Sequence, residues 1–161
     1  SKLEYGAHPL SLIRFSPAVL IRKTAVAFLN QYQDNSYPIE VEISAEAEAT
    51  QIVADELLLQ RVFENLIGNS IRHNPNGCTI AIDARIVEQQ YQITIRDDGK
   101  GFPDTVLHSL RTNTSLQQHQ DHGLGLTIVQ QIIKAHNGIV HFSNISQGGC
   151  LVGIQLPCTL D

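Results

Sequence analysis

Asp55 to Asn76 reads DELLLQRVFENLIGNSIRHNPN, and its spacing predicts an amphipathic helix. Leu59, Val62, Phe63, Leu66, Ile67 and Ile71 recur at three- and four-residue steps, which places them on one face. Asp55 can cap the start, and Pro75 with Gly77 punctuates the end. At roughly 100° per residue, Asn65, Asn69 and Arg72 fall within about 60° of one another, with Arg61 beside them. That stripe is expected to face away from the apolar one. Asn is a poor helix former, and a solvated face would ordinarily carry Glu, Lys or Gln. Two readings follow: a plain surface stripe, or the floor of a polar pocket for something rich in oxygen and negative charge.

Upstream of this helix, Leu10 to Phe15 reads as a short strand, and Ser16-Pro17 starts a helix that runs to about Gln33. Ile39 to Ile43 alternates as a half-buried strand, with Thr50 to Val53 expected beside it. Downstream, Thr79 to Val87 and Tyr91 to Arg96 form a hairpin through the EQQ turn, and the second strand runs into DDGKGFP. A short helix spans Asp104 to Leu110, and Arg111 to His122 is a polar stretch expected to be a mobile loop. A second amphipathic helix runs from Gly123 to His136 and ends at Asn137-Gly138. Ile139 to Asn144 and Leu151 to Leu156 close the chain as a hairpin around SQGG. The pattern predicts a two-layer α/β sandwich, a mostly antiparallel mixed sheet with helices packed on one face.

The 161 residues fit one domain with a real core. A formal net charge of −5 argues against a nucleic-acid binder working by phosphate neutralisation. No apolar run approaches the ~20 residues of a membrane span, so no membrane contact is expected. Cys78, Cys150 and Cys158 lack CxxC spacing and read as small hydrophobes in a reducing compartment. The seven histidines show no HExxH pattern, and no zinc site is predicted.

Two further motifs carry chemistry. In DDGKGFP, Gly99 and Gly101 let the backbone turn tightly beneath a flat ligand, and an Asp ending the strand can accept from an exocyclic amine. Alone, this D-x-G-x-G also fits a simple turn. GLGLTIVQQII, from Gly123 to Ile133, places two glycines at the mouth of a helix, where exposed N–H groups can bind phosphate. It is neither a dinucleotide G-x-G-x-x-G nor a P-loop.

The three motifs in this order resemble the ATP-binding domain of sensor histidine kinases, within the GHKL superfamily that includes DNA gyrase, the ninety-kilodalton heat-shock chaperones and the MutL mismatch-repair proteins. The resemblance covers nearly the whole chain. SKLEYG, Ser1 to Gly6, looks like the end of a dimerisation helix, so residues 1–10 are expected to be that helix end and its linker, and 11–161 the catalytic domain. Gly148-Gly149 ahead of the last strand also matches the family.

Residue by residue, the resemblance implies that Asn69 holds Mg²⁺ bridging the phosphates of ATP and that Asn65 supports metal and phosphates. Arg72 stands where the family reaches the phosphates, and His73 where a side chain covers the nucleotide. Asp97 matches the adenine-reading carboxylate, with Gly99, Gly101 and Phe102 at the base pocket. Gly123, Leu124, Gly125 and Leu126 match the second glycine box, and Arg111 to His122 the lid.

The chain departs from the family pattern at three places. LHSLRT before the loop has no Phe, and Asp121 stands where that glycine box commonly begins. No histidine lies in the His-Glu phosphoacceptor context, so the substrate histidine is expected upstream or on another chain.

The hydrolysing branches of the superfamily place a Glu one turn before the metal Asn. Asn65 cannot act as that base, and Glu64 lies about 100° away around the helix. The resemblance therefore implies phosphoryl transfer to a histidine on a dimerisation domain, in the cytoplasm, with a response regulator downstream. Two other functions remain open: a degenerate docking module without kinase activity, and a serine kinase of the anti-sigma-factor type.

Overall fold

The computed structural model describes residues 9–112 and 120–159, with 120–124 described by backbone alone. Twelve elements follow in chain order. They are β1 (Leu12–Phe15), α1 (Pro17–Gln31), β2 (Ile39–Ile43), α2 (Ala45–Ala49), β3 (Ile52–Asp55), α3 (Glu56–Arg72), β4 (Ile80–Val87), β5 (Gln90–Asp97), α4 (Asp104–Thr112), α5 (Gln120–Ala135), β6 (Ile139–Asn144) and β7 (Cys150–Pro157).

The sheet is five-stranded, ordered β2-β4-β5-β7-β6. Its β4/β5, β5/β7 and β6/β7 pairs are antiparallel, and β2 runs parallel to β4. A parallel pair needs a long crossover, which α2, β3 and α3 provide. Alternation along the strands sends Ile80, Ile82, Tyr91, Ile93, Ile95, Val152 and Ile154 into one buried face. The apolar face of α3 and the Leu126, Val129, Ile132 and Ile133 stripe of α5 pack over it. The two-layer sandwich predicted from the periodicity is the fold observed.

Local chemistry explains the helix starts. Ser16 accepts from the Val19 N–H at 3.2 Å with Pro17 in the first turn. Asp55 accepts from the Leu58 N–H at 3.1 Å and caps α3 as its sequence predicts.

Two expectations are corrected, and one short helix is added. The run after Thr50 does not join β2: β3 pairs antiparallel with β1, Leu12 opposite Asp55 and Phe15 opposite Ile52, in a separate two-stranded ribbon. Strand partners at long sequence separation are not written in local alternation. Between β2 and β3 the AEAEA segment forms α2, capped by Ser44, and five residues are too few to show a helical period.

The polar stretch Arg111 to His122 is shortened at both ends, since Arg111 and Thr112 finish α4 and Gln120 opens α5. Its middle, 113–119, and the SKLEYG segment lie outside the described residues.

Candidate functional site

Helix α3 carries its polar stripe between α5 and the turn that follows β5. Asn69 is only 6% exposed, so this part of the stripe is buried and not an outer face. On either side of it along α3, Gly125 of α5 lies against Asn65 and the turn after β5 is bonded to Asn74. Asn65 is half-buried and lies beneath Gly125, whose missing Cβ would sit 3.9 Å from the Asn65 Cβ and Cγ. The Asn65 Nδ2 is fully buried and has no hydrogen-bond partner in the structure. An unmet amide donor at such a place costs about 1–3 kcal/mol, and an oxygen-rich ligand would satisfy it. Arg72 is exposed at the end of the helix and donates to Asn69 Oδ1 at a long 3.4 Å. His73 is the half-buried C-cap, with its N–H bonded to the Asn69 carbonyl at 3.1 Å.

Asp97 ends β5 with its carboxylate turned inward, at 3% exposure. Its Oδ1 accepts from the Gly99 N–H at 2.9 Å and the Cys150 N–H at 3.3 Å, and its Oδ2 accepts from the Ser70 hydroxyl at 2.6 Å. Strand, turn and helix α3 therefore meet at one carboxylate. Two thiols lie close by. Burial, reinforced by the negative charge of Asp97, pushes the Cys78 thiol up to about 11 and the Cys150 thiol up to about 12.

The glycine turn is held from both sides. The Asn74 Oδ1 accepts from the Lys100 N–H at 3.1 Å, and its Nδ2 donates to the Ser70 carbonyl at 2.7 Å. A Cβ on Gly99 would fall 2.1 Å from that Asn74 side chain. Gly101 adopts φ +84°, the left-handed region that favours glycine. Asn144 then clasps the Phe102 backbone, accepting from its N–H at 2.7 Å and donating to its carbonyl at 2.9 Å. Phe102 itself is a core side chain, edge-on to Phe142 with ring centroids 6.0 Å apart. Leu126 is also fully buried in the core, so both shape the wall from behind.

The second glycine motif is placed differently from the sequence expectation. Helix α5 begins at Gln120, so Gly123, Leu124 and Gly125 lie inside its first turns and not at its mouth. Isolated glycines are tolerated within a helix at about 1 kcal/mol each, so they do not mark its boundary.

The structure thus brings Asn65, Asn69, Arg72, His73, Asp97, Gly99 and Gly125 together around α3. A cleft of about 290 Å³ opens on the outer face of the sheet, lined by Glu40, Ala81, Arg96, Asp97, Asp98 and Ile145 among others, so it adjoins the site at Asp97. It does not reach the asparagine stripe.

Several residues of the site went unpredicted. Ser70 occupies a position on the apolar face, three or four residues from Leu66 and Ile67, where a hydroxyl needs a partner. The same signal marks His136, 2% exposed at the end of the α5 stripe. Its Nε2 accepts from the Asp55 N–H at 3.0 Å, so its proton sits on Nδ1, which donates to the Ile132 carbonyl at 2.8 Å. Asn74 and Asn144, next to turns, carried no distinguishing pattern.

Comparison with known proteins adds the following. Residues 54–160 match the family described as "Histidine kinase-, DNA gyrase B-, and HSP90-like ATPase". Sporulation kinase A of Bacillus subtilis is 30% identical over 132 residues, 82% of this chain and 22% of that protein. The chain spans 11% of the length of Hybrid signal transduction histidine kinase D of Dictyostelium discoideum and 32% of that of Adaptive-response sensory kinase SasA of Gloeothece citriformis. Among solved structures, the nucleotide-free catalytic domain of histidine kinase ThkA superposes with a TM-score of 0.80 at 22% identity, covering 93% of this chain and 97% of that one. ThkA in complex with the response regulator protein TrrA gives 0.71 at 18% identity, covering 92% of this chain and 42% of that one. At these identities the likeness to solved structures is one of fold.

Proposed function

The chain belongs to the histidine kinase-, DNA gyrase B- and HSP90-like ATPase family, and on that premise we propose that it is the ATP-binding catalytic domain of a sensor histidine kinase. In this reading it moves the γ-phosphoryl of ATP to a histidine on a dimerisation domain. The observation that carries the proposal is the buried, unpartnered Asn65 Nδ2 one turn before Asn69. It is a donor in need of an acceptor, which a phosphate oxygen would supply.

Asp97 supplies the base recognition. Its carboxylate is desolvated and braced, so it accepts from an adenine amino group, whereas the oxo group of guanine would face it lone pair to lone pair. Asn65 donates to phosphate, and Arg72 neutralises phosphate charge from the end of α3. The N-terminal end of α5 adds the positive end of its dipole.

Mg²⁺, when bound, neutralises charge between phosphate oxygens. Asn69 Oδ1 is the residue that would hold it, and one neutral oxygen ligand suits an ion that keeps several waters and phosphate oxygens. The long contact from Arg72 to the same oxygen is weak enough to yield.

Transfer is favoured over hydrolysis because, among the described residues, no carboxylate stands one turn before Asn69, where water would need a base. Glu64 is exposed and accepts from Gln60 Nε2 at 3.0 Å, on the outer side of α3. Catalysis then rests on positioning and charge neutralisation, and the acceptor imidazole brings its own lone pair. A response regulator is the expected recipient of the phosphoryl group, as the ThkA complex with TrrA suggests by fold. A need for ATP is consistent with a domain that works in the cytoplasm.

The experiment uses the full-length protein carrying the histidine, incubated with γ-labelled ATP and Mg²⁺. Label stable in base and labile in acid is expected on the protein, and Asn69→Ala is expected to abolish it while nucleotide still binds through its base. Normal labelling by Asn69→Ala, or label released only as free phosphate, overturns the reading.

A further inference from the structure

Helix α3 carries one hydroxyl within its apolar face, and that hydroxyl ends on the carboxylate assigned to the base. Ser70 is 7% exposed, and its Oγ lies 2.6 Å from Asp97 Oδ2. A carboxylate has no proton to give, so Ser70 is the donor. The other oxygen, Oδ1, already takes the N–H groups of Gly99 and Cys150.

A carboxylate offers about four acceptor directions. Protein donors occupy both on Oδ1 and one on Oδ2. The single open direction therefore belongs to the oxygen that Ser70 holds. We propose that Ser70 is a positioning and specificity-determining residue for the purine: it fixes Asp97 Oδ2 so that one acceptor direction remains, aimed at a 6-amino hydrogen.

This rests on the reading of Asp97 as the base-recognising group and deepens it. The two N–H bonds on Oδ1 restrain the carboxylate but leave its terminal torsion broad. The Ser70 bond is the third point that fixes the plane. Without it Oδ2 has two open directions, water competes for both, and the 6-amino group meets a less ordered acceptor. The loss should fall on ligands that carry that amino group and spare those that lack it.

The test is calorimetric titration of the chain with ATP and with purine riboside triphosphate, which lacks the 6-amino group. The parent should prefer ATP by about tenfold or more, from the loss of a hydrogen bond to a charged group. Ser70→Ala should narrow that preference by about three- to tenfold, chiefly by weakening ATP. Ser70→Cys is somewhat larger, fills the site without a cavity and replaces the hydroxyl with a weak donor, so it should narrow the preference too, and it gives the reading if the alanine variant folds poorly.

Equal weakening of both ligands would make Ser70 merely structural and overturn the inference, and so would an unchanged preference in both variants. A parent that binds both ligands equally would instead overturn the assignment of Asp97. Absence of ATP binding by the parent would overturn the proposed function itself.

Discussion

Asp97→Asn separates recognition from folding, because the structure dictates how the amide must lie. Turning the amide nitrogen toward Gly99 and Cys150 would set it against two N–H donors, so its oxygen stays there and keeps both bonds. The nitrogen then replaces Oδ2, and the Ser70 hydroxyl reverses to accept from it. Every buried group keeps a partner, so the fold should lose about 1 kcal/mol, or about 2–4 °C in melting temperature for a domain of this size. The ligand fares differently. The adenine amino group now meets an N–H donor, and a charge-assisted bond of about 1.5–3 kcal/mol is gone, roughly ten- to a hundredfold in affinity. A 6-oxo purine meets a donor for the first time, so inosine triphosphate should gain on ATP. Calorimetry with both nucleotides, beside a thermal melt, reads all three quantities. Undiminished ATP binding by a folded Asp97→Asn protein would refute the reasoning.

Three other perturbations test the scaffold. His136→Ala leaves the Asp55 N–H without its acceptor and a cavity at the joint of α5 and α3, so a loss of about 2–4 kcal/mol is expected; an unchanged melting temperature would contradict that role. Gly149→Ala puts a Cβ 1.9 Å from the Asp97 carbonyl oxygen at φ +110°, whereas Gly148→Ala at φ +115° meets nothing nearer than 3.8 Å. The first should cost about 3 kcal/mol or more and the second about 1–2 kcal/mol, as denaturant melts of the pair would show.

The thiols give a pH dependence. Burial raises Cys78 to about 11 and Cys150 to about 12, above the ~8.5 of an unfolded thiol. Their contribution is fully present below that value and is lost as pH rises toward 11–12. Stability measured at pH 7.5, 9 and 10 should therefore fall, and alkylation at pH 8 should be far slower folded than in denaturant.

Sequence pattern reached furthest where one residue does one local job. The apolar steps of α3, the Asp55 cap, the β4/β5 hairpin and the Asp-Gly turn were all legible, because helix period, capping and alternation act within a few residues. The partner of β3 was not, since β1 and β3 meet at long sequence separation, from Phe15 opposite Ile52, 37 apart, to Leu12 opposite Asp55, 43 apart. The start of α5 was misplaced because glycine marks a boundary in the pattern but only weakens a helix in fact. The Asn69 stripe could be read as an open face or as a pocket floor, and its burial decides against the open face, because the angle around a helix says nothing about what packs over it. Ser70 and His136 were readable in principle as polar groups on apolar faces, but their partners, Asp97 and Asp55, lie 27 and 81 residues away.

The central claim is that nucleotide sits between the asparagine stripe of α3 and the turn after Asp97. Amide NMR of the labelled chain, titrated with a non-hydrolysable ATP analogue and Mg²⁺, tests it most directly. Saturable shifts centred on Asn65, Asn69, Ser70, Asp97 and Gly99, weaker with the GTP analogue, are the predicted result. Shifts confined to the outer sheet face around Arg96 and Ile145, or none that saturate, would contradict it.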